Sequence, residues 1–380
     1  MWKYVPVINV CVQTLLAICL GWAFGNSGVI QNKPVFIEQT VIWVFYCALP
    51  CLVIRGLGIG INFYSRSFLW TYVFAFLLLR VITLFGAIFL ATYQKSDRES
   101  AISLTAIYWL CSSWISTIIL GIPILSALLQ DSEMALTYGL LASISSFIFQ
   151  LPIMIVLLEW DVYWKPRPSR EERSIDEVQR EAPITNSTRT NSLQRGFTLV
   201  ISNPVVVAIV VSFVLSLTLL GPTFLNPTSD DFIKSLGWIA DTLEWFGACV
   251  SPISLFVMGV WIAVRIQDDG FKIHASTSLK SIIFSMIVKL ILVPLVMVAL
   301  AIGFGFSDEE GRAAVLIASL PISQASFSLG AKYGIGEGLL SLNVAAGTSL
   351  IVPAVLIWNL ALDAAGLFPI SYHNSDLGVG

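Results

Sequence analysis

The sequence predicts an all-α integral membrane protein of ten transmembrane helices, built as a five-plus-five inverted repeat in which helices 4 and 9 are broken and cross. Three observations carry that expectation. The 380 residues are 56% hydrophobic and only 12% charged, against roughly 25% charged in a soluble domain. Ten segments stay apolar over the ~20 residues that a membrane span needs. The two halves also share a residue pattern at one fixed offset.

The ten segments are 5–25, 38–60, 68–92, 101–129 and 134–158, then 198–220, 236–264, 279–305, 313–332 and 338–362. In lipid every backbone polar group needs a partner within its own segment, so helices are expected. Strands of a membrane barrel would alternate polar and apolar residues, and these segments do not. The first is preceded by Lys3 alone and lacks a small-residue cleavage pattern, so it reads as a helix of the mature chain. The third and eighth enclose Arg80 and Lys289, costly charges in a membrane that read as conformational or electrostatic groups.

Between the fifth and sixth segments, Lys165 to Arg195 holds seven basic residues among Pro, Ser, Thr and acidic ones, a composition that favours disorder. The expected organisation is therefore an N-terminal five-helix repeat over 1–160, a cytosolic linker over 161–197, a C-terminal repeat over 198–364 and a short tail over 365–380. With the N-terminus outside, fourteen Lys and Arg fall on inner loops and five, Arg312 among them, on outer ones. The positive-inside rule then places both termini on the non-cytosolic side, in the plasma membrane or the endoplasmic reticulum.

The second segment carries Trp43, Cys47 and Pro50; the seventh carries Trp245, Cys249 and Pro252, each 202 positions later. Five helices per half turn the second repeat over relative to the first, and inverted repeats mark transporters with a mid-membrane site at broken helices. The expected breaks are Ser112-Ser113-Trp114-Ile115-Ser116-Thr117 with Gly121-Ile122-Pro123, and Ser319-Leu320-Pro321-Ile322-Ser323-Gln324. Proline removes a backbone donor and clashes with the preceding turn. Half-helix N-termini would attract an anion, so Ser116, Thr117, Pro321, Ile322, Ser323 and Gln324 are the candidate substrate residues, with Asn343 of the tenth segment. The same residues equally suit kinked helices joined by interhelical hydrogen bonds.

Several classes are disfavoured. His274 and His373 lie outside the apolar segments, so no intramembrane histidine metal site is expected, and no cofactor. All six cysteines lie within apolar segments and read as small core residues. A membrane enzyme would need a His, Asp or Cys constellation at depth. Nothing suggests nucleic acid, since the basic residues are not interleaved with aromatics. Asp241, Glu244 and Glu159 lie near segment ends, which argues for uniport over coupling through a mid-membrane carboxylate pair. A sodium- or proton-coupled transporter of the bile-acid-symporter or antiporter type, or a non-transporting receptor, is the alternative.

Four stretches resemble the auxin efflux carrier family, which includes the plant PIN-type and PIN-like carriers. They are Leu120-Gly121-Ile122-Pro123-Ile124-Leu125, Leu255-Phe256-Val257-Met258-Gly259-Val260, Val288 through Met297 with Lys289 and Pro294, and Ser319-Leu320-Pro321 through Ala331-Lys332-Tyr333; Asn203-Pro204 matches too. The resemblance implies a scaffold of helices 1, 2, 6 and 7, a mobile domain of helices 3–5 and 8–10, and alternating access that exports an auxin-like carboxylate. It also implies a homodimer among membrane lipids. One departure stands out: where plant members commonly have Leu-Pro-Asn, this chain has Trp114-Ile115-Ser116.

Overall fold

The computed structural model describes residues 5–58, 68–93, 100–129, 132–164, 198, 201–218, 220–225, 232–269, 279–333 and 335–369. Among them the regular structure is helical. The helices are α1 (Val5–Asn26), α2 (Lys33–Gly58), α3 (Phe68–Tyr93), α4 (Ala101–Ser113), α5 (Thr117–Leu129), α6 (132–164), α7 (Pro204–Leu217), α8 (Leu220–Leu225), α9 (237–269), α10 (279–303), α11 (Asp308–Ser319), α12 (Gln324–Tyr333), α13 (Glu337–Ser349) and α14 (Ile351–Ala364). Six runs are long and apolar enough to cross a membrane: α1, α2, α3, α6, α9 and α10; α13 and α14, bent by 62°, form a seventh if counted together. The other apolar helices are shorter pieces. Residues 161–164 of the expected linker continue α6, whereas 165–197, with the sequon at Asn186, and the end of the tail lie outside the described residues.

Proline placement explains where the long helices change pitch. Wide π turns occupy Val44–Ala48, Thr117–Gly121, Ser145–Gln150 and Val288–Leu292. Pro50, Pro123, Pro152 and Pro294 each stand two residues past the end of one. A proline ring cannot accept the preceding α-turn, so the chain widens there and bonds five residues ahead instead of four. The Trp-Cys-Pro pattern marks this irregularity in α2 and its counterpart in α9, where the helix is interrupted at Cys249 before Pro252.

Two sets of helices pack separately and meet along one face. In the first set α1 lies along α9, and α7 lies along the end of α2. Glycine lets backbones touch at the first contact and where α8 meets the end of α2. A Cβ on Gly259 would fall 2.0 Å from the Ile18 carbonyl oxygen, and one on Gly21 would fall 1.9 Å from that of Phe256. Likewise a Cβ on Gly221 would fall 1.7 Å from the Gly58 carbonyl oxygen. Small residues let helix backbones touch in a membrane. At one end Lys33 donates to Gln267 (2.6 Å), which donates to Asn26 (2.8 Å), tying α2, α9 and α1 together.

The second set, α3 to α6 with α10 to α14, is the better buried. Its ends are fastened by polar clamps. Asp161 of α6 accepts from Ser103 (2.6 Å) and from Ser100, the N-cap of α4. Arg312 of α11, assigned from sequence to an outer loop, is instead fully buried. It donates to Asn359 (2.8 Å), to the Phe368 carbonyl (2.9 Å) and to Asp363, joining α11 to α14. The residue lies at the start of a helix whose first turn is acidic, and its long stem reaches inward. Arg312→Met is expected to lower stability by about 3–5 kcal/mol, because removing one partner strands buried acceptors; a fall in the thermal midpoint of the purified protein checks this.

The cysteine expectation meets a correction. Of the five cysteines described by exposure, only Cys111 is buried; Cys19 is exposed and Cys47, Cys51 and Cys249 are intermediate. In a lipid-facing helix an apolar residue gains nothing by pointing inward, so apolar surroundings in sequence do not distinguish core from surface.

Candidate functional site

The two interrupted helices meet at their interruptions. After α4 the chain turns extended at Trp114 (φ −80°, ψ 94°) and resumes as α5. After α11 it turns extended at Leu320 (φ −65°, ψ 150°) and resumes as α12. Ile115 and Ile322 pair as an isolated antiparallel bridge. Ser116 N–H donates to the Pro321 carbonyl (3.1 Å), and Ser323 N–H donates to the Trp114 carbonyl (2.9 Å). Two backbone bonds thus join the breaks directly.

Local chemistry accounts for both breaks. Ser112 and Ser113 turn their hydroxyls back onto the carbonyls of Tyr108 (2.8 Å) and Trp109 (2.7 Å), and Ser319 does the same to Leu316 (2.7 Å). Such back-bonding bends helices. Pro321 supplies no amide, so α11 cannot continue through it. Pro123 lies inside α5 instead and widens its first turn. The helix starts leave amides without upstream helical acceptors; that of Ala325 finds Ser323 Oγ at 3.3 Å.

Beside the bridge lies a hollow of about 770 Å³, its mouth included. One wall comes from α2 (Thr40, Val41, Val44, Phe45, Leu49) and α9 (Val250, Ser254, Val257); the other comes from the breaks, α5 and α6, with Trp114, Ser116, Thr117, Ser143, Ser146 and Ser323. Among the described residues no charged side chain lines it. The Ser116 and Ser254 hydroxyls have no partner among the described residues. They are open to a solute.

The expected site residues separate into groups. Ser116, Thr117 and Ser323 line the hollow. Pro321 and Ile322 are buried within the joined breaks behind it, while Gln324 starts α12 and its side chain lies outside the described residues. Asn343 sits away from the hollow at 2% exposure, accepting from Ser285 (2.7 Å) and donating to the Leu339 carbonyl (2.8 Å). Ser285 and Cys111, beside it, border a second, apolar hollow of about 860 Å³, its opening included, between α3, α4 and α10. Arg80, fully buried, donates to Gln150 (2.8 Å), Ser146 (2.6 Å) and Ser145 (3.3 Å) of α6. Lys289, in the π turn of α10, donates to the Ala318 carbonyl (3.0 Å). The hydroxyls of Thr40 on α2 and Ser254 on α9 were not singled out in the sequence. Ser254 follows the second Trp-Cys-Pro pattern by two residues, a signal that was available.

A sequence model for a family described as "Membrane transport protein" matches residues 6–359, nearly the whole chain. No curated protein matches it.

Proposed function

Because the chain belongs to the auxin efflux carrier family of membrane transport proteins, we propose that it is a secondary transporter exporting a small organic anion, an auxin-like carboxylate, by alternating access. The observation that carries this reading is the bridged pair of breaks beside a hollow edged with unpartnered hydroxyls. There two half-helix starts offer amide hydrogens and positive partial charge, and Ser116, Thr117, Ser323 and Ser254 offer hydroxyls. Apart from Thr40, Ser143 and Ser146 the pocket's remaining surface is apolar, which suits the body of an aromatic or aliphatic acid.

Ten spans in a five-plus-five inverted repeat complete the proposal, each bridged or bent pair counting as one. The support is positional. The N-caps Ser100 and Ser307, like the bridged Ile115 and Ile322, stand 207 positions apart. The packing of α1 on α9 and of α7 on α2 exchanges partners between halves, as an inverted repeat requires. On this reading α1, α2, α7 and α9 stay fixed while the other helices carry the bridge across the membrane. The scaffold wall presents mainly Val, Phe and Leu, which bind no anion and so permit sliding. With the linker in the cytosol, an anion leaving the cell gains about 2.3 kcal/mol per 100 mV, so the membrane potential alone suffices to drive export. Among the described residues no Asp or Glu borders the hollow, which disfavours the cation-coupled alternative.

The test is efflux of labelled indole-3-acetate and a panel of small carboxylates from vesicles holding the purified protein. Saturable carboxylate efflux is expected. The double variant S116A/S323A, correctly folded, should reduce it roughly tenfold or more through lost hydrogen bonds to a charged group. Transport of cations with no carboxylate would overturn the substrate class.

A further inference from the structure

Arg80 and Lys289 are left unused by the mechanism above, yet both are enclosed, at 0% and 1% exposure. Neither meets a carboxylate among the described residues: Arg80 is held by two serines and Gln150, Lys289 by a backbone carbonyl. Burying a cation without a counter-charge is strongly unfavourable, and arginine cannot shed its proton to escape the cost. What faces each cation is a helix end. Ala318 is the next-to-last residue of α11, where the carbonyls carry the negative end of the helix dipole. Arg80 reaches the corresponding end of α4 through Gln150, whose amide donates to Ser113, the last residue of that helix. The Arg80 carbonyl also accepts from Trp109 of α4 at 3.1 Å. Each half of the chain therefore keeps one cation at the C-terminal end of its interrupted helix.

We propose that Arg80 and Lys289 set the charge selectivity of the bridge. Four helix ends crowd together there, two of each sign, and their fields would otherwise largely cancel. The two cations offset the carbonyl ends of α4 and α11, so the amide starts of α5 and α12 dominate the potential in the hollow. Ser146 links the two regions, since its hydroxyl accepts from Arg80 (2.6 Å) and the residue lines the hollow. Neither cation touches the cargo; both are positioning residues. The proposal deepens the anion reading of this site and rests on it.

Its test does not depend on transport. A cysteine placed at the hollow's edge, S116C, is reacted with anionic sulfonatoethyl and cationic trimethylammonioethyl methanethiosulfonates. Rates are read against the same protein without S116C and normalised to a free thiol. The anionic reagent is expected to be favoured. Its advantage should fall roughly tenfold in S116C/R80Q and in S116C/K289M, and return in S116C/R80K and S116C/K289R. An unchanged ratio in both neutral variants overturns the proposal, as does failure of the charge-conserving variants to restore it. K289M carries the test if R80Q does not elute as folded protein. Absent carboxylate efflux with the ratio behaving as described would refute the anion cargo while leaving the positive field standing, so the two failures are distinct.

Discussion

Gly259→Val is expected to abolish folded, monodisperse protein. The new Cβ would sit 2.0 Å from the Ile18 carbonyl oxygen, 2.7 Å from the Trp22 nitrogen and 2.9 Å from the Gly21 Cα. All three are backbone atoms of α1, so no rotamer change relieves the clash. The helices must separate along their whole contact, and overpacking of this kind costs about 3 kcal/mol or more. Gly21→Val should behave the same way from the other side, its Cβ meeting Phe256 backbone at 1.9 Å. Gly86→Ala is the control: nothing lies within 4 Å of its Cβ position, and alanine favours the helix by about 1 kcal/mol. Size-exclusion profiles in detergent decide the matter, and normal elution of both valine variants would mean that α1 and α9 are not held by backbone contact.

Ser116→Pro is expected to cut carboxylate efflux roughly a hundredfold while leaving the fold intact. Ser116 has φ −78°, close to the value a proline ring imposes. The preceding Ile115 is paired in an extended bridge, the conformation that a residue before proline prefers. Proline therefore fits, and what it removes is the amide that donates to the Pro321 carbonyl together with the hydroxyl. A buried carbonyl left unpaired costs about 1–3 kcal/mol, enough to loosen the joined breaks. Ser116→Ala keeps the amide and should lose only about tenfold. Equal activity in the two variants would show that the backbone bond between the breaks does not matter for transport.

Much of the helical plan was legible in sequence. The segment 68–92 became Phe68–Tyr93 and 279–305 became 279–303, because an uninterrupted apolar run in a chain of this composition has little choice but to be helix. Both breaks were also visible, as serines before each interruption and a proline within the second. Their registers were less clear. Gly121-Ile122-Pro123 looked like part of the first break, but Pro123 widens a turn there, and the interruption falls at Trp114–Ser116, where no proline stands. The second helix begins at Lys33, five residues before the expected start: Asn32 caps it and Pro34 occupies its first turn, a polar signal that an apolar window passes over.

What sequence concealed was mostly direction. Lipid removes the polar outer face that reveals a soluble helix's inside, so Cys19 and Cys111 read alike although one is exposed and the other buried. Arg312 and Asn343 were placed by segment, and only the folded chain shows the first clamped to α14 and the second turned toward Ser285. The hollow itself draws on residues far apart in sequence, from Thr40 to Ala325, and no local pattern announces such a gathering.

The wide turn before Pro152 has a further consequence. Ser145 and Gln150, both ligands of the Arg80 guanidinium, are five residues apart. On a regular helix that spacing carries side chains to different sides, since 3.6 residues complete a revolution; a loop closed over five brings them into line. Pro152 lies outside the arginine's cradle and sets its shape through pitch alone. An imino acid with no donor and no charge thus decides, from a distance, whether a buried cation finds a seat.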